Sequence, residues 1–316
     1  MYFPYLFARR SELLALRDVS AEFSLADTVV PVLEPVKSNP TDLKRCLQTL
    51  GVNGVQAIAI LNPQQGDFRE VDLGDFQAAI EEEFNEYPSL LPGFVCRQGV
   101  GMRQINSFLR RYANRQVSIL YRGPQLTDRE VFDLAAREQV RFHIDLNGQM
   151  AATQRTLIPA AKAVDIRDRF ISLARNADYT GVEFFTDGHL TFRADAVGYG
   201  DYAVIGAIFR EGGGPAHAVA IHATFKQPRS NQIWVEHFVS DDVEREVGSV
   251  AEKFLQAARK LVRAATRRRI EFGTNRALTA YANYVRTNTF PGLAESKRLQ
   301  ISHHIAVNYQ ILAGDL

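Results

Sequence analysis

In the stretch "VRFHIDL", Val140, Phe142, Ile144 and Leu146 are apolar, and they alternate with Arg141, His143 and Asp145. A period of two marks a β-strand with one apolar face and one ionic face. The stretch "AHAVAIHATFK" repeats the pattern, with Val219, Ile221, Ala223 and Phe225 against Ala220, His222, Thr224 and Lys226. Further strands are predicted at 28–36, 56–61, 93–97 and 116–122. Between them, "TDLKRCLQTL", "DFQAAIEEEFNEY", "RQINSFLRRYAN" and "TDREVFDLAARE" carry helical spacing, the last with Thr127 and Glu130 as a capping box. Strands alternating with helices predict βα units on a parallel sheet. Counting "TLIPAAKAV" and "DYAVIGAIF" as well gives about eight strands, so a TIM-barrel-like (βα)8 fold in one domain is expected over 1–316. Residues 181–215 read as an inserted hairpin, and 276–316 as a C-terminal helical extension. "DDVEREVGSVAEKFLQAARKLVRAATRRRIEF" reads as a long amphipathic helix, with Asp241 and Asp242 as its caps.

Composition narrows the class. An apolar fraction of 46% with 23% charged residues is that of a globular protein, and no apolar run is long enough to span a bilayer, so no membrane partner is expected. The N-terminal "MYFPYLFARRSELLAL" places its arginines after the apolar part, the reverse of a secretory signal, and a cytoplasmic location is expected. Two cysteines, Cys46 and Cys96, fit a reducing compartment and give no thiolate zinc site. With a net charge of +1, binding to a polyanion requires a local patch.

The polar strand faces carry the candidate chemistry. In a parallel barrel apolar residues are needed outward against helices, so Arg141, His143, Asp145, His222 and Lys226 are expected to line the interior, with Glu34, Lys37, Arg97, Arg122 and Asp201 at strand ends as partners. Adjacent histidines on a helix point about 100° apart, so His303 and His304 cannot both ligate one ion. They read either as packed histidines bonded to backbone, or with one of them joining His222 or Asp145 as an acid/base group. His189 reads as exposed, Gly212 to Gly214 as a flexible turn, and the basic run of Arg259, Lys260, Arg263, Arg267, Arg268 and Arg269 as a solvated helix face or a phosphate-backbone contact. "RNADY", with Arg175, Asn176, Asp178 and Tyr179, exceeds what a helix-ending turn needs.

The motifs "YFPYL...SELLAL", "VVPVLEPVK", "RNADY", "GYGDY", "AVAIH", "HFVSDD" and "FPGL...SKRLQISHHI" resemble, in this order, a bacterial family known by a myxobacterial locus-tag name and related to the phage-associated beta-protein family. The resemblance implies a cytosolic bacterial protein of mobile or anti-phage loci, encoded beside a nuclease-like neighbour; it brings no reaction with it. Position by position it singles out Glu12, Glu34, Arg175, Asn176, Asp178, Tyr179, Asp201, Tyr202, His222, His237, His303 and His304. Two departures stand out: "ARRS" where a Gly-Lys-Gln stretch is expected, and Ala306 where an acidic residue is expected after "HHI".

These readings combine into one expectation. Glu34, Asp145, Asp201, His222 and His304 would form a catalytic site inside the barrel, with His222 or His304 as acid/base and the carboxylates holding a divalent metal ion or a histidine tautomer. Arg97, Arg122 and Lys226, with Arg175, Asn176, Asp178 and Tyr179, would bind a phosphate-containing ligand, a nucleotide or nucleic acid, for binding or hydrolysis. The rival is a non-catalytic subunit that docks a partner nuclease through its outer helices and residues 181–215.

Overall fold

A computed structural model describes residues 1–69, 73–211, 217–244 and 246–316. The strands are β1 (Tyr2–Leu6), β2 (Val32–Leu33), β3 (Ala57–Ile60), β4 (Leu90–Arg97), β5 (Val117–Arg122), β6 (Val140–Leu146), β7 (Ala163–Arg167), β8 (Val182–Thr186), β9 (Gly198–Asp201), β10 (Ala220–Lys226) and β11 (Ile233–Val239). The helices are α1 (Arg10–Glu22), α2 (Thr41–Val52), α3 (Leu73–Ala79), α4 (Glu81–Glu86), α5 (Met102–Arg111), α6 (Asp128–Ala135), α7 (Ala152–Arg155), α8 (Gly188–Thr191), α9 (Val250–Arg267), α10 (Arg269–Phe272), α11 (Arg276–Thr287) and α12 (Leu293–Ala313). The parallel strands β1 to β7 and β9 close into an eight-stranded barrel, with β9 pairing both β7 and β1. The expected (βα)8 architecture is present. Among the described residues no helix is long and apolar enough to cross a membrane.

The chain forms two compact units. The first holds residues 1–13, 24–168 and 188–202, hence the whole barrel; the second holds 14–23, 169–187 and 203–316. Two strand assignments need correction. The segment 181–215 is not an inserted hairpin: β8 pairs antiparallel with β11, whereas β9, within "GYGDY", is the eighth barrel strand. The strand bearing His222 is not in the barrel either. The short link between β10 and β11 makes them an antiparallel hairpin, which a parallel barrel does not admit, and they form a separate sheet in the order β10-β11-β8. The place expected for them is taken by β1, an aromatic strand whose five residues are all buried.

The inside of the barrel is identified by contacts between strands that are not neighbours. Phe3 on β1 meets Phe142 on β6 edge to face, with ring centroids 5.1 Å apart. Both rings therefore project inward, and by alternation Ile144 and Leu146 do so too, while His143 and Asp145 point outward. Room for Phe3 comes from β9: a Cβ on Gly198 would lie 2.3 Å from Phe3 Cε2. The apolar face of β6 thus fills the interior, and its polar face is the one turned away.

In the second unit, β10 and β11 bury Ile221, Ala223, Phe225 and Phe238 against Phe254, Leu261 and Phe272 of the helices. A smaller cluster of Phe170, Tyr179, Phe185, Val204, Ile233 and Val235 fills the opposite face. Helix α9 starts at Ser249, which caps it with Glu252 in a capping box. Asp241 and Asp242 are therefore not its caps: Asp241 pairs with Lys260 at 2.7 Å, and Asp242 accepts from Gln256. His189 is buried rather than exposed. The turn expected at Gly212 to Gly214 lies outside the described residues.

Candidate functional site

At the C-terminal end of the barrel, polar groups from separate strands converge. Tyr5 at the end of β1 donates to Glu34 Oε2 (2.5 Å) and accepts from Arg122 Nη2 (2.5 Å). The Arg122 guanidinium also bonds both oxygens of Glu34, at 3.3 and 3.1 Å. The Tyr202 ring packs tilted against Tyr5 at a centroid distance of 4.8 Å. Burial disfavours a charge on Arg122, but Tyr5 and Glu34 outweigh it and raise its pKa. Burial, with Glu34 adding to it, holds the Tyr5 hydroxyl well above its ordinary range, so it stays protonated. Glu34 and Arg122 form a neutralised pair on a closed aromatic floor.

Arg97, paired in register with Arg122 on the neighbouring strand, has no such partner. Its Nη1 donates to the carbonyl of Asn62 (2.8 Å), its Nε is buried without a hydrogen bond, and no carboxylate of the described residues pairs with it. Burial lowers its pKa, against the pull of the Glu34 carboxylate and with a smaller contribution from Arg122, without threatening its charge, since guanidinium titrates far above neutrality. The mouth therefore presents one half-buried guanidinium in ion-pair contact with no carboxylate of the described residues, beside one that Glu34 holds directly.

The other expected site residues lie elsewhere. Asp145 points outward, where it binds Arg167 Nη1 (3.1 Å) and the amide of Met150 (3.2 Å). Arg167 bridges it to Asp165, which also binds Arg155 from α7, giving an ionic ladder on the barrel's outer side. Asp201 accepts from Tyr2 at 2.8 Å, on the face opposite to Gly200. His143 Nδ1 and the Tyr121 hydroxyl share a hydrogen bond (2.7 Å), and burial drops the His143 pKa to about 3, so the ring is neutral. Alternation identified these groups as sharing one face of the strand, but the large aromatics of β1, rather than the ionic set, occupy the interior.

His222 and His304 belong to the second unit. His303 Nε2 donates to the carbonyl of Thr224 (2.8 Å) and His303 Nδ1 accepts from Asn275 (3.0 Å), whose Oδ1 caps α11 at Leu278 (3.1 Å). These partners fix a neutral tautomer, consistent with burial lowering its pKa to about 4. His304 Nδ1 meets Thr224 Oγ1 (3.1 Å) and its Nε2 meets Asn308 (3.3 Å). Gln300 accepts from the amide of His222 (3.0 Å), so α12 satisfies the outer backbone edge of β10. Both histidines are buried, His303 bonded to a backbone carbonyl and His304 to side chains.

His222 and His237 face each other across β10 and β11, Nδ1 to Nδ1 at 2.8 Å. Glu183 lies 3.1 Å from His237 Nε2, a close approach whose alignment falls short of a hydrogen bond. The Tyr179 ring packs on both imidazoles. Burial pushes the pKa of His222 well down, with Lys297 adding to the effect; burial lowers that of His237 too, against the pull of Glu183. Both rings are neutral at neutral pH. Arg175 and Asp178 form an exposed ion pair, Asn176 donates to the carbonyl of Ala218, and Lys226 donates to that of Leu316. Within the arginine run, Arg268 sits over the rings of Phe225 and Phe272 and pairs with Glu236 and Glu271, whereas Arg267 and Arg269 are exposed.

Among the described residues no group of three or more His, Cys, Asp or Glu is arranged to hold a metal ion. The donors expected for a divalent ion, Glu34, Asp145 and Asp201, are consumed by Tyr5 with Arg122, by Arg167 and by Tyr2, so the residues do not fit one. Comparison with known proteins finds no matching family model, no matching curated protein and no matching solved structure. Sequence reasoning missed Tyr5 and Asn62, both of which look like ordinary strand-end residues until the barrel closes.

Proposed function

We propose that the barrel mouth binds a phosphate-containing ligand, a nucleotide or the end of a nucleic acid, with Arg97 as its anchor and Arg122 beside it. One observation carries the reading: Arg97 is a half-buried guanidinium with no carboxylate partner among the described residues, next to an arginine whose charge Glu34 already balances. A charge held out of water without a counter-ion is costly, and an incoming oxyanion removes that cost. Hydrolysis has less support than binding, because among the described residues no acid/base histidine and no metal-ligand group stands at the mouth.

Pyrophosphate titrated calorimetrically at low salt is the test. Arg97→Met should weaken binding by about 10- to 100-fold, the worth of one charge-assisted hydrogen bond, with little change in thermal stability. Equal affinity for wild type and variant removes the reading.

A second reading, a non-catalytic subunit docking a nuclease-like partner, is favoured by strand β8. It is an edge strand whose Val182 and Phe184 side chains are 50% and 40% exposed. Their backbone groups point away from β11, as the pairing of His237 N with Gly181 O requires. Such an edge suits addition of a partner's strand. On this reading Phe184→Lys abolishes co-purification of the partner while leaving pyrophosphate binding unchanged. A place in an anti-phage or mobile-element locus is a proposal resting on the family resemblance alone.

A further inference from the structure

Resting on the reading of Arg97 as the anion anchor, we infer that Asn62 is the positioning residue that aims Arg97 into the mouth. Asn62 follows β3 and is buried. Its side chain does what a strand backbone would do: Oδ1 accepts from the amide of Val95 (2.8 Å) and Nδ2 donates to the carbonyl of the same residue (2.9 Å). The last backbone bond of this edge is Leu61 N to Gly93 O, at 2.9 Å. One residue later the amide of Asn62 takes over the pairing with β4, which releases its own backbone to turn. The released carbonyl accepts Arg97 Nη1 at 2.8 Å.

Asn62 thus holds two points of β4, Val95 by its side chain and the Arg97 head group by its carbonyl. Inward-facing residues on a strand are two apart, so Val95 and Arg97 share a face, and fixing the first sets where the second emerges. Only an amide supplies a donor and an acceptor together at this position. A carboxylate would lose the donor to Val95 O, and a hydroxyl is too short to span both groups. With Nη1 committed to the Asn62 carbonyl, the remaining edge of the guanidinium is the part left for an oxyanion. A preoriented guanidinium loses less side-chain freedom on binding than a mobile one.

A double-mutant cycle with pyrophosphate tests this. Asn62→Ala is expected to weaken binding about fivefold to tenfold, as loss of an orienting hydrogen bond does, and to add nothing further in an Arg97→Met background. Asn62→Leu, which keeps the volume but not the amide, should behave like Asn62→Ala. Additive effects in the cycle, or unchanged affinity in both single variants, would overturn the inference. If Arg97→Met itself leaves binding intact, the anion-site reading fails first, so the two failures are distinguishable. A measurement on the wild-type protein covers the case in which the variants do not fold. Nitrogen-detected NMR of the ligand-free chain should show restricted rotation of the Arg97 guanidinium, with distinct Nη1 and Nη2 signals. Averaged signals would contradict a held side chain.

Discussion

Glu34 shows how one residue can oppose two properties of the same site. Its carboxylate is nearly inaccessible and is held by Tyr5 and both terminal nitrogens of Arg122. Replacing it by Gln leaves the part-buried Arg122 guanidinium without its counter-ion, at a cost below the roughly 3 to 5 kcal/mol of breaking a fully buried pair. The same replacement raises the net positive charge of the mouth, so the Glu34→Gln protein, where folded, is expected to bind pyrophosphate more tightly than wild type while melting at a lower temperature. Chemical denaturation alongside calorimetry checks both signs; weaker binding in the variant would mean that Glu34 contacts the ligand directly. From the sequence, Glu34, Arg97 and Arg122 were legible as strand-end charges, because strand ends on one side of a parallel barrel point to one mouth. Their division into a neutralised pair and a lone cation was not legible, since it depends on the Tyr5 hydroxyl and the Asn62 carbonyl.

Helix α12 carries buried polar residues on several sides, including Gln300, His303, His304 and Asn308, because it meets the open edge of a strand as well as an apolar core. His303 couples this packing to pH. Its pKa is near 4 in the folded protein, because burial opposes the charge, against about 6.5 in an unfolded chain. Between those values the unfolded chain binds more protons, so stability is full at neutral pH, starts to fall below about pH 6.5 and has lost its whole contribution below about pH 4. The loss amounts to about 3 kcal/mol. His222 and His237 act in the same direction, so the difference between proteins is the informative quantity. His303→Ala is expected to destabilise the protein by about 2 to 4 kcal/mol at pH 7, from the unpaired Thr224 carbonyl and the cavity, and to flatten the slope of stability against pH. Urea denaturation of both proteins from pH 4 to 7 checks this, and parallel slopes would reject it. Strand β9 makes the complementary point for the barrel. Gly198→Ala places a Cβ against Phe3 at 2.3 Å, so barrel closure should be lost or weakened by several kcal/mol, visible as a lowered melting temperature.

At the scale of the molecule, the barrel was readable because β3 to β6 alternate with helices of ordinary spacing and caps, of which Thr127 with Glu130 is an example. The strand alternation in "VRFHIDL" gave two faces but not which of them turns inward, for that is decided by remote residues, Phe3 and the glycines of β9. The same limit applied to "AHAVAIHATF", whose polar face pairs with His237 and α12 in a sheet of its own. Interior chemistry assigned to His222 and Asp145 therefore has no place at the mouth, and the arginines at the ends of β4 and β5 carry the binding proposal. Nuclear magnetic resonance with pyrophosphate added stepwise to the full chain, observing arginine side chains and backbone amides together, tests this most directly. Saturable shifts are expected at Arg97, Arg122 and Asn62 and their strand ends, with the exposed Arg267 of α9 and Arg269 of α10 unmoved; shifts at those exposed arginines alone, or none at Arg97, would contradict it.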